Sequence, residues 1–397
     1  MRILAIAETF FPEHPTGLAR VAWDVCRAMA KQGHDVHLLC PAFLTSSEFD
    51  TQRIADVQVS RFAQPRVSAF DPRNPSIRID RYRDAIDAIG DPRDWDVIHG
   101  HGIYGVLAAA VATERRVPIV QTIHSPAFLE QLWNWTHEGL GGALKLPGLM
   151  EIRRLEGAAL GAATVCHTLS HYTRSRIESL YPKARLNRWA LIPHWLDRSW
   201  LRTSDLREAR RALGWDEESR VVLTVRQLRP RYGIESAIRG VRTLVSRGVC
   251  HLHVVGDGES RPGLERLARE LGLARGVSFH GRVADDKLRL AYQAADVFLL
   301  PSRALECFGV IAQEAMAVGL PMVATCVGAI PEMLAPIMPQ LLVPPGAEAR
   351  IGELVAAVLG KRVYVPSPQE ITDYVTSRYA ESTLVAAYER MFVSLAV

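Results

Sequence analysis

Short, continuous apolar runs alternate with longer segments of helical period along most of this chain. Ile3–Ala7, Val36–Cys40, Asp96–His99, Pro118–Ile123 and Ala162–His167 read as strands. Ile3–Ala7 is unbroken rather than alternating in its apolar character, which is what a strand covered on both faces of a parallel sheet shows. Between the first two strands lies a helix from about Leu18 to Gln32, with Val21, Val25, Ala28 and Met29 as its apolar stripe and Gly33 as its stop. The pattern restarts near Arg220. Strands at Arg220–Arg226, His251–Val255, Val277–His280, Val297–Leu300 and Pro321–Ala324 interleave with helices at Ile234–Ser246, Gly263–Leu271, Asp286–Ala294 and Phe308–Val318. Two series of βαβα alternation predict an α/β chain with two parallel, doubly wound sheets.

Three stretches break the rhythm. Thr45–Gly90 is polar, rich in Pro and Arg, and weakly periodic, so no element is assigned there. Phe128–Met150 combines Trp133, Trp135, several leucines and four glycines. It reads as a helical hairpin packed on the first domain, with an acceptor lid or a membrane-surface contact as alternatives. Tyr181–Ser204 carries Pro182, Pro193 and surplus arginine and reads as an interdomain linker. At 397 residues the chain exceeds what one core usually supports. The expected division is residues 1–190, residues 191–375, and a C-terminal helix over 376–397 that crosses back to the first domain.

Composition narrows the class. A formal net charge of +4 is small for this length and argues against a dedicated nucleic-acid binder. The six cysteines are scattered without C-x-x-C spacing, as expected of reduced thiols. Met1-Arg2 runs straight into a strand, and the apolar run Gly102–Ala112 is shorter than the roughly 20 residues a membrane span needs. The expectation is a cytoplasmic protein, with peripheral association at the inner membrane face left open.

The chemistry concentrates in DVFLLPSRALECFGVIAQEAMAVGLP, Asp296–Pro321. A strand, a tight loop and a bare helix N-terminus form an anion site, most often for phosphate. Glu306 and Glu314 bracket it, eight residues apart, or about 12 Å if wholly helical. That exceeds the roughly 5–10 Å of a glycosidase carboxylate pair. It suits a ligand with polyols at both ends and phosphates between them, Glu306 holding a sugar hydroxyl and Glu314 a ribose. Two solvated glutamates on a plain strand–loop–helix unit are the alternative. Arg226, with Arg229 and Arg231 behind it, can charge-match a diphosphate, or form a solvated basic loop. Gly17 at a helix start can admit a phosphate or an acceptor to the backbone, or be a plain loop glycine. His99, His101 and His124 sit at or just past strand ends, where open α/β sheets bind ligands, or serve a structural role, the more frequent one for an isolated histidine.

The segment ECFGVIAQEA matches a Glu-x7-Glu motif with an internal Phe-Gly, and so resembles the retaining glycosyltransferases of family 4. The resemblance covers most of the chain and is strongest over residues 220–335. It implies the GT-B architecture, two Rossmann-like domains facing an interdomain cleft. It further implies transfer of a sugar from a nucleotide diphosphate sugar, UDP- or GDP-linked, to an acceptor hydroxyl, with retained configuration and without metal or cofactor.

Carried over by residue, the resemblance makes His124, Glu306 and Arg226 catalytic. It places Gly17, Arg231, Gly256, Val283, Phe308, Gly309, Val310 and Glu314 at the donor. His99 and His101 would be site wall. Tyr232 stands where the family has a lysine, with Arg231 as the substitute cation. The implied partners are a nucleotide-sugar donor and a sugar, small-molecule or lipid-linked acceptor, without nucleic acid. A nucleotide-sugar epimerase would bind the same donor. A nicotinamide-dependent oxidoreductase would need a G-x-G-x-x-G fingerprint and an acidic residue after the second strand, and neither is present.

Overall fold

The computed structural model describes residues 1–11, 13, 16–42, 49–64, 74–137 and 140–396. The unassigned stretch Thr45–Gly90, the loop before Gly17 and the segment Phe128–Met150 therefore lie partly outside the described residues. The chain divides into two compact units, Met1–His194 with Ser382–Val397, and Trp195–Glu381.

The first unit holds an eight-stranded sheet of order β3-β4-β2-β1-β5-β6-β7-β8. Its strands are β1 (Arg2–Ile6), β2 (Asp35–Ala42), β3 (Phe49–Ile54), β4 (Val57–Ala63), β5 (Val97–Gly100), β6 (Ile119–Ile123), β7 (Val165–Thr168) and β8 (Arg188–Leu191). All neighbours pair in parallel except β3 with β4. Leu4, Ile6, Leu39, Phe62, Ile98 and Ile119 from the sheet join Tyr82, Ile86 and Val106 from two helices in one core. In the same unit Glu156, on the helix Leu149–Ala162, accepts from the backbone N–H of Ala127 at 2.6 Å and of Phe128 at 3.2 Å. A carboxylate there satisfies the first donors of the helix Ala127–Thr136, which carries Trp133 and Trp135.

The second unit holds an all-parallel sheet of order β11-β10-β9-β12-β13-β14. Its strands are β9 (Val221–Val225), β10 (His251–Val255), β11 (Val277–Gly281), β12 (Val297–Leu300), β13 (Met322–Thr325) and β14 (Leu342–Val343). Every residue of β9 and of β12 is buried, as strands of mostly apolar sequence covered on both faces are. Both units are Rossmann-like.

Three expectations are corrected. Thr45–Gly90 contains β3, β4 and the helix Asn74–Ala88. Ala55 and Asp56, with φ of 47° and 66°, form the two-residue turn of a hairpin that Gly or Asn would normally mark. The stretch read as a linker contains β8, a half-exposed edge strand without an apolar run. The helix expected from Phe308 spans Val310–Ala317, because Gly309 adopts a left-handed conformation (φ 97°) at its N-cap. Five of the six cysteines are buried and Cys326 is exposed, all as free thiols. Among the described residues no helix is long and apolar enough to cross a membrane.

Candidate active site

In the second sheet the winding reverses between β9 and β12, and the carboxyl ends of those strands mark the ligand crevice of such a fold. β9 delivers Arg226 there, and β12 delivers Pro301, Ser302 and the loop to Glu306. The Arg226 Nη2 donates to Ser302 Oγ at 2.7 Å and to the Glu306 carboxylate, and Ser302 donates to the same Oε2 at 3.0 Å. All three side chains are buried. The Arg226 guanidinium lies 4.1 Å from the Tyr232 ring centroid. Arg231 lies 4.6 Å from the same ring and donates to its hydroxyl at 2.7 Å. Tyr232, in the place where a lysine was expected, is thus in cation–π contact with two guanidinium groups. Arg226 Nε is buried with no hydrogen-bond partner among the described residues. A buried cationic N–H left open is costly unless something fills it.

The loops around this cluster are fastened by close backbone approach. The Arg303 N–H donates to Arg231 O at 2.8 Å, tying the loop after β12 to the loop after β9. Leu305 holds a positive φ of 56°, strain of the kind kept where the surroundings over-determine a site. Gly256 has φ +125°, and a Cβ there would fall 1.8 Å from Arg226 O. Gly256→Ala is therefore expected to cost at least ~2 kcal/mol and to misplace Arg226. A thermal melt and a nucleotide titration of the variant check both effects.

The other expected donor residues are spread around the carboxyl edge of this sheet. Gly309 and Val310 open the helix Val310–Ala317, whose first N–H groups lack intrahelical partners. Phe308 precedes it, its ring edge-on to Tyr379 at 5.8 Å. Glu314, buried on that helix, accepts a 2.8 Å hydrogen bond from the Tyr292 hydroxyl. Val283 lies in the loop after β11, and the Gly256 N–H donates to Gly281 O at 2.7 Å, joining two of the strand-end loops. Arg226, Arg231, Glu306 and Gly256 are thereby brought together around one cluster.

Gly17 and His124 belong to the first unit. Gly17 is the exposed first residue of the helix Gly17–Lys31, behind the N-cap Thr16, with open space around its Cα. His124 follows β6 and is half-buried. Its Nε2 lies 2.9 Å from His101 Nδ1, and His101 Nε2 lies 3.3 Å from His99 Nδ1. His99 Nε2 lies 2.6 Å from Thr122 Oγ1, which lies 2.8 Å from His167 Nδ1. His167 Nε2 lies 2.9 Å from Ile192 O. His99 and His101, expected as site wall, are instead buried beneath His124 and support it.

Burial keeps these imidazoles neutral. It pushes His124 down to about 3 and His167 down to about 4, and holds His99 and His101 well below the usual range. Tyr388 and Phe392 of the C-terminal helix cover the row, with ring centroids 5.0 Å from His167 and 5.2 Å from His99. Glu8, just past β1, is the further titratable group at this sheet's own reversal between β1 and β5. Burial raises its carboxyl above the usual range, against the pull of Arg78.

Sequence reasoning passed over Ser302, Tyr292, Thr122, His167 and Glu8. One signal was available for Thr122. His99/His101 and Thr122/His124 are i, i+2 pairs, and period two puts each pair on one face of its strand.

Comparison with known proteins identifies the family and the fold. Residues 15–200 match the family model described as Glycosyltransferase Family 4, and residues 205–378 match Glycosyl transferases group 1. An uncharacterized glycosyltransferase of Methanocaldococcus jannaschii is 25% identical over 84% of this chain and 83% of its own length. The D-inositol 3-phosphate glycosyltransferase of Acidothermus cellulolyticus is 32% identical over 62% of this chain, which spans 55% of that relative. Among solved structures, sucrose-phosphate synthase of Thermosynechococcus elongatus superposes with a TM-score of 0.84 at 17% identity, covering 100% of this chain and 99% of that one. Anabaena HepE in complex with UDP and glucose gives 0.75 at 17% identity, covering 99% and 100%. Two family models that tile nearly the whole chain, over two Rossmann-like units of this topology, make it a member of the family 4 glycosyltransferases with the GT-B fold.

Proposed function

We propose that this glycosyltransferase moves a sugar from a nucleotide diphosphate sugar to an acceptor hydroxyl, with retained anomeric configuration and no metal requirement. The observation that carries the reading is Arg226. It is a buried guanidinium at the sheet's reversal point, braced by Glu306 and Ser302, stacked on Tyr232, and left with an open N–H. A diphosphate supplies the acceptor that this N–H lacks. Arg226 and Arg231, with the N–H groups at Phe308–Val310, would offset the charge that builds on the departing diphosphate, a task a divalent cation performs in other transferases. Glu306 fixes the guanidinium and stands beside the sugar, and Glu314 takes the ribose. Gly256 and the backbone of Val283 border the nucleotide, and Gly17 the reacting groups. His124 holds a sugar hydroxyl. In this account no enzyme nucleophile is needed: the acceptor oxygen bonds to the anomeric carbon as the bond to phosphate breaks, and the leaving phosphate takes the acceptor's proton. UDP is the first nucleotide to try, since the structural neighbour HepE was solved with UDP and with UDP-glucose.

A thermal-shift panel of UDP, GDP, ADP and TDP, each with and without EDTA, and of NAD, tests the reading. A ligand at 100 times its Kd stabilises by about 2.7 kcal/mol, a clear rise in Tm. The expected result is a shift from one diphosphate that survives EDTA. A shift from NAD alone would overturn it.

A further inference from the structure

We infer that one buried carbonyl, Ile192 O, fixes the tautomer of His124 through a one-way chain of hydrogen bonds, so that His124 offers Nδ1 as an acceptor and selects a ligand group that carries a hydrogen. The hydroxyl of a donor sugar fits that demand, and a carboxylate or phosphate oxygen does not. This last step rests on the donor-sugar reading above, whereas the tautomer does not.

The direction follows link by link. A carbonyl can only accept, so His167 Nε2 carries a hydrogen and donates to Ile192 O at 2.9 Å. Neutral His167 then has a bare Nδ1, which must accept, and Thr122 is the donor to it at 2.8 Å. The one hydroxyl hydrogen of Thr122 is thereby spent, so His99 Nε2–H donates to Thr122 Oγ1 at 2.6 Å. His99 Nδ1 is bare and accepts from His101 Nε2–H at 3.3 Å. His101 Nδ1 accepts in turn from His124 Nε2–H at 2.9 Å, leaving His124 Nδ1 without a hydrogen. All four rings are Nε2–H tautomers. Reversing any link would require a doubly protonated ring, which burial beneath Tyr388 and Phe392 opposes.

The chain is laid out by the sheet. It crosses β5, β6 and β7 to the residue after β8, and Thr122 and His167 are register partners. Thr122 is the switch in it, because a hydroxyl donates to one neighbour while accepting from the other. His99, His101, Thr122 and His167 are positioning residues, and His124 is the group that meets the ligand.

Two measurements on the full chain test the inference. Long-range 1H–15N correlation on 15N-histidine-labelled enzyme, with single substitutions for assignment, is expected to show bare Nδ1 and protonated Nε2 at His99, His101, His124 and His167. A hydrogen on His124 Nδ1 would overturn it. Thr122→Val removes the switch at near-constant shape, and Thr122→Ser keeps it. The valine variant is expected to raise KM for the nucleotide sugar about tenfold while its affinity for the free nucleoside diphosphate holds, and the serine variant to restore KM. Equal losses in both variants, or an equal loss of diphosphate affinity, would overturn the positioning role. The tautomers as expected, in an enzyme that turns over no nucleotide sugar, would leave the chain standing and remove only the donor-sugar reading.

Discussion

Arg226→Ala is expected to lower kcat/KM for the nucleotide sugar by 10²–10³, about 3–4 kcal/mol of transition-state stabilisation, and to abolish the thermal shift from nucleoside diphosphate. The same change destabilises the fold. Glu306 is 7% exposed and its carboxylate pairs with Arg226, so alanine leaves a buried charge facing Ser302. Breaking a buried pair from one side costs roughly 3–5 kcal/mol. The double variant Arg226→Leu/Glu306→Gln separates the two effects. It removes the stranded charge and should melt nearer to wild type, yet recover no diphosphate binding. Recovery of diphosphate binding in the double variant would show that Arg226 serves folding rather than the ligand. Paired melts and nucleotide titrations of the three proteins decide it.

Acid sensitivity is the second large effect. A histidine whose folded pKa lies below its unfolded value of about 6.5 contributes stability that is fully present above that value. The contribution is lost as pH falls, because the unfolded chain binds a proton the folded one refuses. His99, His101, His124 and His167 all behave this way, with His124 down to about 3 and His167 to about 4. His253 is held down to about 2 by burial beside His251 and His280, and adds to the same trend. Between pH 7 and 5.5 each of the four loses on the order of 1 kcal/mol, so the row loses a few kcal/mol, a large share of the stability of many domains. Glu8 and Glu156, whose carboxyls burial raises, act in the opposite direction nearer the carboxylate range. Urea unfolding from pH 7.5 to 5 should show a steep fall below about 6.5. A flat profile down to pH 5.5 would contradict the buried neutral row.

Much of this was legible in the sequence, for identifiable reasons. Strands buried on both faces are mostly apolar, so β9 and β12 announce themselves, and β9 places Arg226 at a strand end. The anion-site helix was legible too, but its start was set two residues early. Only the left-handed φ of Gly309 shows where the chain turns into the helix. The β3–β4 hairpin was hidden by its Ala55-Asp56 turn, which carries no glycine signal. β8 was hidden because a half-exposed edge strand needs no apolar run. The helix Asn74–Ala88 buries only Tyr82, Ala85 and Ile86, too thin a stripe to stand out of a polar segment. The histidine row was out of reach for a different reason. Apart from His99–His101, its links join residues 23 to 45 positions apart, and only strand register brings Thr122 opposite His167.

The partnership of Arg226 and Glu306 was also invisible. Sequence alone assigned the arginine to phosphate and the glutamate to sugar. In the folded unit they form one buried cluster with Ser302, in which the glutamate orients the cation.

Turnover separates sugar transfer from isomerisation. Purified enzyme is incubated in EDTA with UDP-, GDP-, ADP- and TDP-linked sugars and a pool of candidate acceptors, and the nucleotide products are identified by mass spectrometry. The account predicts that one donor yields free nucleoside diphosphate together with a glycosylated acceptor whose anomeric configuration matches the donor's, and that Arg226→Ala yields neither. Isomerised nucleotide sugar without a glycosylated acceptor, or transfer undiminished in Arg226→Ala, would contradict it.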